Sequence, residues 1–175
     1  LERALQLRTP LLGINNRDAR WHDVYDLDLG TGKLTQVFGN DGYAGFVADD
    51  SLTLRLALKS RDDGGTDFHR VNDGVVEAAP FTEAGLDDAL STNALGYSND
   101  GRTLYWLDSR GRDKTALIAQ DAASGANKVV GESPKAEVSG ILSDPRSGVV
   151  QAYSVAYLRN EWTAVDPLVQ GDLDF

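Results

Sequence analysis

An acidic turn followed by a leucine-bearing strand recurs along this chain, and the recurrence limits its fold more than any other feature. Tyr43-Ala44-Gly45-Phe46-Val47-Ala48-Asp49-Asp50-Ser51-Leu52-Thr53-Leu54 aligns with Ala94-Leu95-Gly96-Tyr97-Ser98-Asn99-Asp100-Gly101-Arg102-Thr103-Leu104. An offset of 50 residues puts Asp50 on Asp100, Thr53 on Thr103 and Leu54 on Leu104. A third copy, Val138-Ser139-Gly140-Ile141-Leu142-Ser143-Asp144-Pro145, starts 44 residues after the second. Each copy reads as a short strand with a small-residue Gly, an acidic turn and a second strand. Two more strands follow each time, at 113–121 and 125–130, at 67–71 and 74–76, and ahead of the first copy at 21–29 and 32–37.

The local signals agree with strands. Leucines at 52, 54, 56 and 58 alternate with Thr53 and Arg55, which is the period of an extended chain. Thr103-Leu104-Tyr105-Trp106-Leu107 reads as a strand buried on both faces, and 148–157 is β-branched and aromatic, which suits a strand. Asn-Asp-Gly at 72–74 and 99–101 marks hairpins, because Asn and Gly accept positive φ at low cost. Only 1–7 and 81–90 resemble short helices.

Four strands in every 40–50 residues or so, repeated, are the pattern of β-propeller blades. The expectation is an all-β chain, a partial β-propeller of about three to four four-stranded blades. The later strands of one blade occupy 1–40, and further blades lie at about 41–85, 93–135 and 136–175. A β-sandwich with evenly spaced turns is the competing reading, and a parallel β-helix would need a shorter repeat. Propellers close with more blades than this, so the chain is expected to be part of a ring in a longer protein. Its start at Leu1 rather than Met, and its end at Asp174-Phe175 with no closing strand, fit that expectation. Open blade edges present unpaired backbone, so self-association through them is expected.

Composition narrows the partners. With 17 Lys+Arg against 27 Asp+Glu the chain carries a net charge of −10, which argues against a nucleic-acid backbone or an anionic membrane surface. No apolar run approaches the ~18 residues of a membrane span. The absence of cysteine removes disulfides, thiolate chemistry and Cys-ligated metals. It leaves the compartment open between cytoplasm and periplasm or a secreted location. No cofactor is indicated.

A scan for chemistry is mostly negative. There is no Gly-x-Ser-x-Gly elbow. His22 and His69 fall near the start of the same strand type in adjacent repeats, which reads as repeat structure rather than a catalytic base. With no third His and no Cys, a zinc site would need carboxylates. Gly30-Thr31-Gly32-Lys33 lacks the earlier Gly of a phosphate loop and has Leu34 where Ser or Thr is needed, so it reads as a turn. Asp26 and Asp28, and the pairs Asp49-Asp50, Asp62-Asp63 and Asp87-Asp88, lack calcium-loop spacing and read as solvated turns. Asp108-Ser109-Arg110-Gly111-Arg112-Asp113 reads as a charge-balanced loop. Tyr157-Leu158-Arg159-Asn160-Glu161-Trp162 puts a cation, an amide, a carboxylate and two aromatics at a hairpin end, where a pocket mouth or a docking surface can form. The plain alternative is an Arg159–Glu161 surface pair with Trp162 in the core.

The stretch Asn15-Asn16-Arg17-Asp18 through His22-Asp23-Val24-Tyr25 to Asp28-Leu29-Gly30-Thr31-Gly32, together with 50–55, 100–113 and Arg159-Asn160-Glu161-Trp162, resembles the propellers of bacterial acylaminoacyl-peptidase and dipeptidyl aminopeptidase-like proteins of the prolyl oligopeptidase family. Asp-Gly-x-x-Leu-Tyr recurs in many propellers, TolB-like ones included; the His-Asp-Val-Tyr and Arg-Asn-Glu-Trp pieces together are more specific. The resemblance implies an N-terminal propeller over a C-terminal α/β-hydrolase domain that holds a Ser-Asp-His triad. This chain contains no such domain, so no catalytic residue carries over to it. The implied role is a non-catalytic cap over a serine peptidase's active site, filtering peptide substrates, with the hydrolase domain of the parent chain as partner. Arg159 and Glu161 are the implied substrate contacts, Glu161 for a peptide amine and Arg159 for a carbonyl or carboxylate. Two other readings stay open. One is a TolB-like protein-binding propeller with no enzymatic role; the other is a propeller glycosidase with paired carboxylates, whose separation a sequence does not supply.

Overall fold

The computed structural model describes residues 10–174. Fifteen strands among them form four antiparallel sheets in chain order. The first sheet contains β1 (Leu11–Asp18), β2 (Trp21–Leu27) and β3 (Leu34–Phe38). The second contains β4 (Gly45–Ala48), β5 (Leu54–Ser60), β6 (Thr66–Asn72) and β7 (Val75–Val76), with β8 (Thr82–Ala84) also pairing β6. The third contains β9 (Asn93–Tyr97), β10 (Thr103–Asp108), β11 (Ala116–Asp121) and β12 (Asn127–Gly131). The fourth contains β13 (Val138–Ser143), β14 (Val150–Ala156) and β15 (Asn160–Ala164), and a short helical segment follows at Pro167–Val169 and Gln170–Leu173. No described helix is long and apolar enough to cross a membrane.

The third sheet is the centre of the core, because its two middle strands are buried on both faces. Leu104 and Trp106 of β10, with Ala116 and Ile118 of β11, pack against Leu56, Phe68 and Ala84 of the second sheet. The intervening residues Tyr105 and Leu117 point the other way, onto Val138, Val150 and Val155 of the fourth. The period of two in a strand separates the two sets, so one five-residue apolar run serves two interfaces. The Phe68 and Trp106 rings meet edge to face, 4.9 Å apart at 80°. The Trp106 indole N–H donates to Gln120 Oε1 at 3.2 Å, so burial leaves no orphan donor there. Close approach to the fourth sheet requires Gly131, since a Cβ on it would come within 2.5 Å of the Tyr153 ring.

Three local expectations change. Leu52 is not on the strand: it sits in the turn at φ 63°, where Asp49 accepts from the Ser51 and Thr53 N–H groups, and β5 begins at Leu54. Residues 81–90 form β8 and a run of turns rather than a helix. Two turns of helix with Gly85 inside do not repay nucleation, whereas pairing with β6 buries Ala84 completely. The short helix after β15 gives no apolar period in the sequence and was not foreseen. The 1–7 helix expectation lies outside the described residues.

Alternation of strand direction sorts the loops onto two faces. Hairpin ends at 19–20, 61–65, 109–115 and 157–159 share one face with the sheet-to-sheet connections 39–44, 85–92 and 132–137; this is the crossing face. The opposite face carries turns built on aspartates that accept backbone N–H bonds, Asp28, Asp49, Asp100, Asp121 and Asp144.

Replacing Trp106 by Ala is expected to cost about 3–5 kcal/mol in urea unfolding, and the exposed Leu90→Ala change within about 0.5 kcal/mol.

Candidate functional site

The first two connections on the crossing face are each fastened by a polar cluster. In the first, Arg17 at the end of β1 forks onto Asp23 of β2, both bonds at 2.8 Å, and reaches the Asn40 carbonyl at 2.6 Å and Asp41 at 2.9 Å. Asn40 is buried and spends its side chain on the loop: the amide donates to the His22 and Tyr43 carbonyls, and its oxygen accepts from Gly42 and Tyr43. The Asn40 N–H completes the set at 2.7 Å from Asp23. In the second, Arg110 forks onto Asp108 at 2.9 and 2.7 Å and reaches Thr82 at 2.6 Å. Beside it the Ser109 hydroxyl donates to Asp88 at 2.7 Å and meets Ser91 at 2.7 Å. Burial works to raise the Asp108 pKa, but the Arg110 fork outweighs it and holds the carboxyl below the usual range. These two clusters account for the stretches around Arg17-Asp18, His22-Asp23 and Asp108-Arg110.

The third connection frames an open polar pocket of about 210 Å³, lined by Glu132, Ser133, Lys135, Tyr153, Glu161 and Thr163 among others. Glu137 accepts from the Thr115 N–H at 2.5 Å, Arg112 holds the Glu132 carboxylate at 3.0 Å, and the Tyr153 hydroxyl donates to the Glu132 carbonyl at 3.3 Å. Lys135 Nζ lies 3.2 Å from Glu161 Oε2, which leaves the other carboxylate oxygen without a protein donor among the described residues.

The expected cluster is therefore rearranged. Glu161 is on β15 facing Lys135, not Arg159. Arg159 is exposed in the hairpin turn, with no side-chain partner among the described residues. Trp162 is not in the core: it stands opposite Ser154, with its ring edge near Gly140, and stays 42% exposed. Lys135 was missed because a Lys after Pro134 in a loop carries no motif; only the crossing geometry brings it to a residue 26 positions away.

The other sequence candidates settle into structural roles. His22 and His69 share a strand type but sit at its second and fourth positions, His22 exposed and His69 buried. His69 Nδ1 is 2.9 Å from the Glu77 carbonyl, and Nε2 is buried without a partner. Gly30–Gly32 is a turn capped by Asp28, which accepts from the Gly30 and Thr31 N–H groups. Among the described residues no three His, Cys, Asp or Glu side chains gather as a metal site would require.

No family model matches the chain. It is 47% identical over 168 residues to dipeptidyl aminopeptidase BIII of Pseudoxanthomonas mexicana. It is 23% identical over 177 residues to dipeptidyl peptidase family member 6 of Caenorhabditis elegans. Each match covers 95% of this chain but 24% of the relative, so the chain spans about a quarter of their length. Among solved structures it resembles TolB from Acinetobacter baumannii, with TM-score 0.62 and 15% identity over 90% of this chain and 37% of that one. By sequence the chain matches a segment of a larger peptidase, and by fold it is a β-propeller. The four antiparallel sheets in chain order follow the pattern of that fold.

The first lock makes a prediction with a definite sign. The Arg17 fork and the Asn40 N–H hold the Asp23 carboxyl at about 2 against an ordinary 3.8. The folded value is the lower one, so the stabilisation is complete above 3.8 and is lost as pH falls through about 2. Asp23→Asn is expected to be less stable than wild type at neutral pH and to lose less on acidification through that window, as read by urea melts at a series of pH values.

Proposed function

We propose that this chain is the propeller part of a serine peptidase of the prolyl oligopeptidase family, acting on peptides from their N-termini, and that it caps and filters access to a hydrolase domain elsewhere in the parent chain. The observation that carries the reading is 47% identity over 95% of the chain to a dipeptidyl aminopeptidase four times its length. A rigid ring over a cleft admits extended peptides and turns away folded proteins, and it also limits the water that reaches the reaction. The two fastened connections supply that rigidity on the crossing face.

On this reading Glu161 and Arg159 touch the substrate. Glu161 has one oxygen held by Lys135 and one to offer, in a pocket open to solvent. That suits the ammonium of a peptide N-terminus, which needs a charged acceptor that is already oriented. Arg159, free in its hairpin, suits a peptide carbonyl or carboxylate. The TolB-like fold supports a second reading, a protein-binding propeller with no chemistry of its own. The two diverge on whether the full-length protein reacts with a fluorophosphonate probe and releases dipeptides.

In the full-length protein, Glu161→Ala is expected to raise KM for peptides with a free amino terminus about tenfold or more, with a smaller change in kcat. Peptides blocked at the N-terminus are expected to respond little. Unchanged kinetics on every peptide would remove Glu161 from the substrate path.

A further inference from the structure

On the side opposite the crossing face, two arginines stack on aromatic rings at the seam between the second and third sheets. Arg70 of β6 is half-buried, with its guanidinium 4.7 Å from the centre of the Phe81 ring. Among the described residues no carboxylate or carbonyl accepts from it. The nearby Glu77 carboxylate is taken by the Asn72 amide at 2.7 Å. Arg55, on the adjacent strand β5, lies 5.1 Å from the centre of the Tyr97 ring and gives one nitrogen to Asp49 at 3.0 Å. Tyr97 ends β9 on the same side, half-buried, and its hydroxyl has no protein partner among the described residues. Burial pushes that phenol up, with Asp49 acting in the same sense and Arg55 and Arg70 against it.

Arg70 differs from the other half-buried arginines, since Arg55, Arg61 and Arg110 each meet a carboxylate. The chain has 27 acids for 17 Lys and Arg, and Arg17, Arg61 and Arg110 are each forked or bridged onto carboxylates. Stacked on Phe81 and only half-buried, the Arg70 guanidinium is oriented and keeps its N–H groups free to donate to a ligand. The Arg70 guanidinium, the nitrogens of Arg55 not given to Asp49 and the Tyr97 O–H, on neighbouring strands of one blade seam, are the donors an oxyanion accepts from.

We propose that Arg70, Arg55 and the Tyr97 hydroxyl form a binding site for a small oxyanion, a carboxylate or phosphate group, seated between the second and third blades against Phe81. The site makes no use of Glu161 or Arg159, so it stands or falls separately from the peptide-contact reading.

Calorimetric titration of the full-length protein with citrate, and separately with inorganic phosphate, tests this at constant ionic strength set by chloride. Saturable binding of one or both is expected, and the tighter of the two tells a carboxylate site from a phosphate site. Arg70→Gln is expected to weaken binding about tenfold or more and Tyr97→Phe about threefold, with the exposed Arg102→Gln unchanged. Tyr97→Phe keeps the ring and its packing, so it decides the matter if Arg70→Gln does not fold. No saturable heat with either anion overturns the proposal, and so does wild-type affinity in Tyr97→Phe.

Discussion

The structure depends on the burial of one sheet between two others. β10 and β11 send alternate side chains to opposite neighbours, so Trp106 and Tyr105, adjacent in sequence, belong to different interfaces. Neither neighbouring sheet has this arrangement at full strength. Between the first and second sheets the packing is looser: Phe38, Tyr43 and Phe46 cluster, and beside them a cavity of about 290 Å³ is lined by Leu11, Leu12, Val24 and Leu54 among others. Hydrophobic burial is non-directional, and it fixes that the sheets stack without fixing how their loops lie.

The loops at the first two connections are fixed by polar clusters. Arg17 forks onto the buried Asp23 and reaches the Asn40 carbonyl; Arg110 forks onto the buried Asp108 and reaches the Glu83 carbonyl, while the Ser109 hydroxyl ties in the Asp88 side chain. Removing one member leaves a buried charge or amide unsatisfied, which costs more than the bond itself contributed. The crossing face is thus rigid at its first two connections. At the third it keeps an open pocket, a carboxylate with one oxygen to offer and an unpaired arginine.

The repeat was legible because it rests on local chemistry. Aspartate and glycine turns recur at similar spacings with short strands between them, so the all-β, repeated character of the fold could be read from residues such as Asp49, Asp100 and Asp144. The two-faced burial of 103–107 was legible for the same reason. What failed was local sequence overruled by packing: Leu52 continues the leucine alternation yet lies in a turn, and 81–90 has helical residues yet adds a strand to cover Ala84. The site was half legible. Glu161 and Arg159 stood out by their company, but their partners come from other strands, and Lys135, Asn40 and Arg70 carry no signal until the chain is folded.

Hydrogen exchange followed by mass spectrometry on the full-length protein measures the central claim directly, that the third blade anchors the segment and the first two connections are fastened while the third stays open. Amides of β10 and β11 are predicted to exchange slowest, 39–44 and 85–92 to be protected beyond ordinary loops, and 157–159 to exchange fast. Faster exchange in β10 and β11 than in the first sheet, or equal exchange in all the crossing-face loops, would contradict the account.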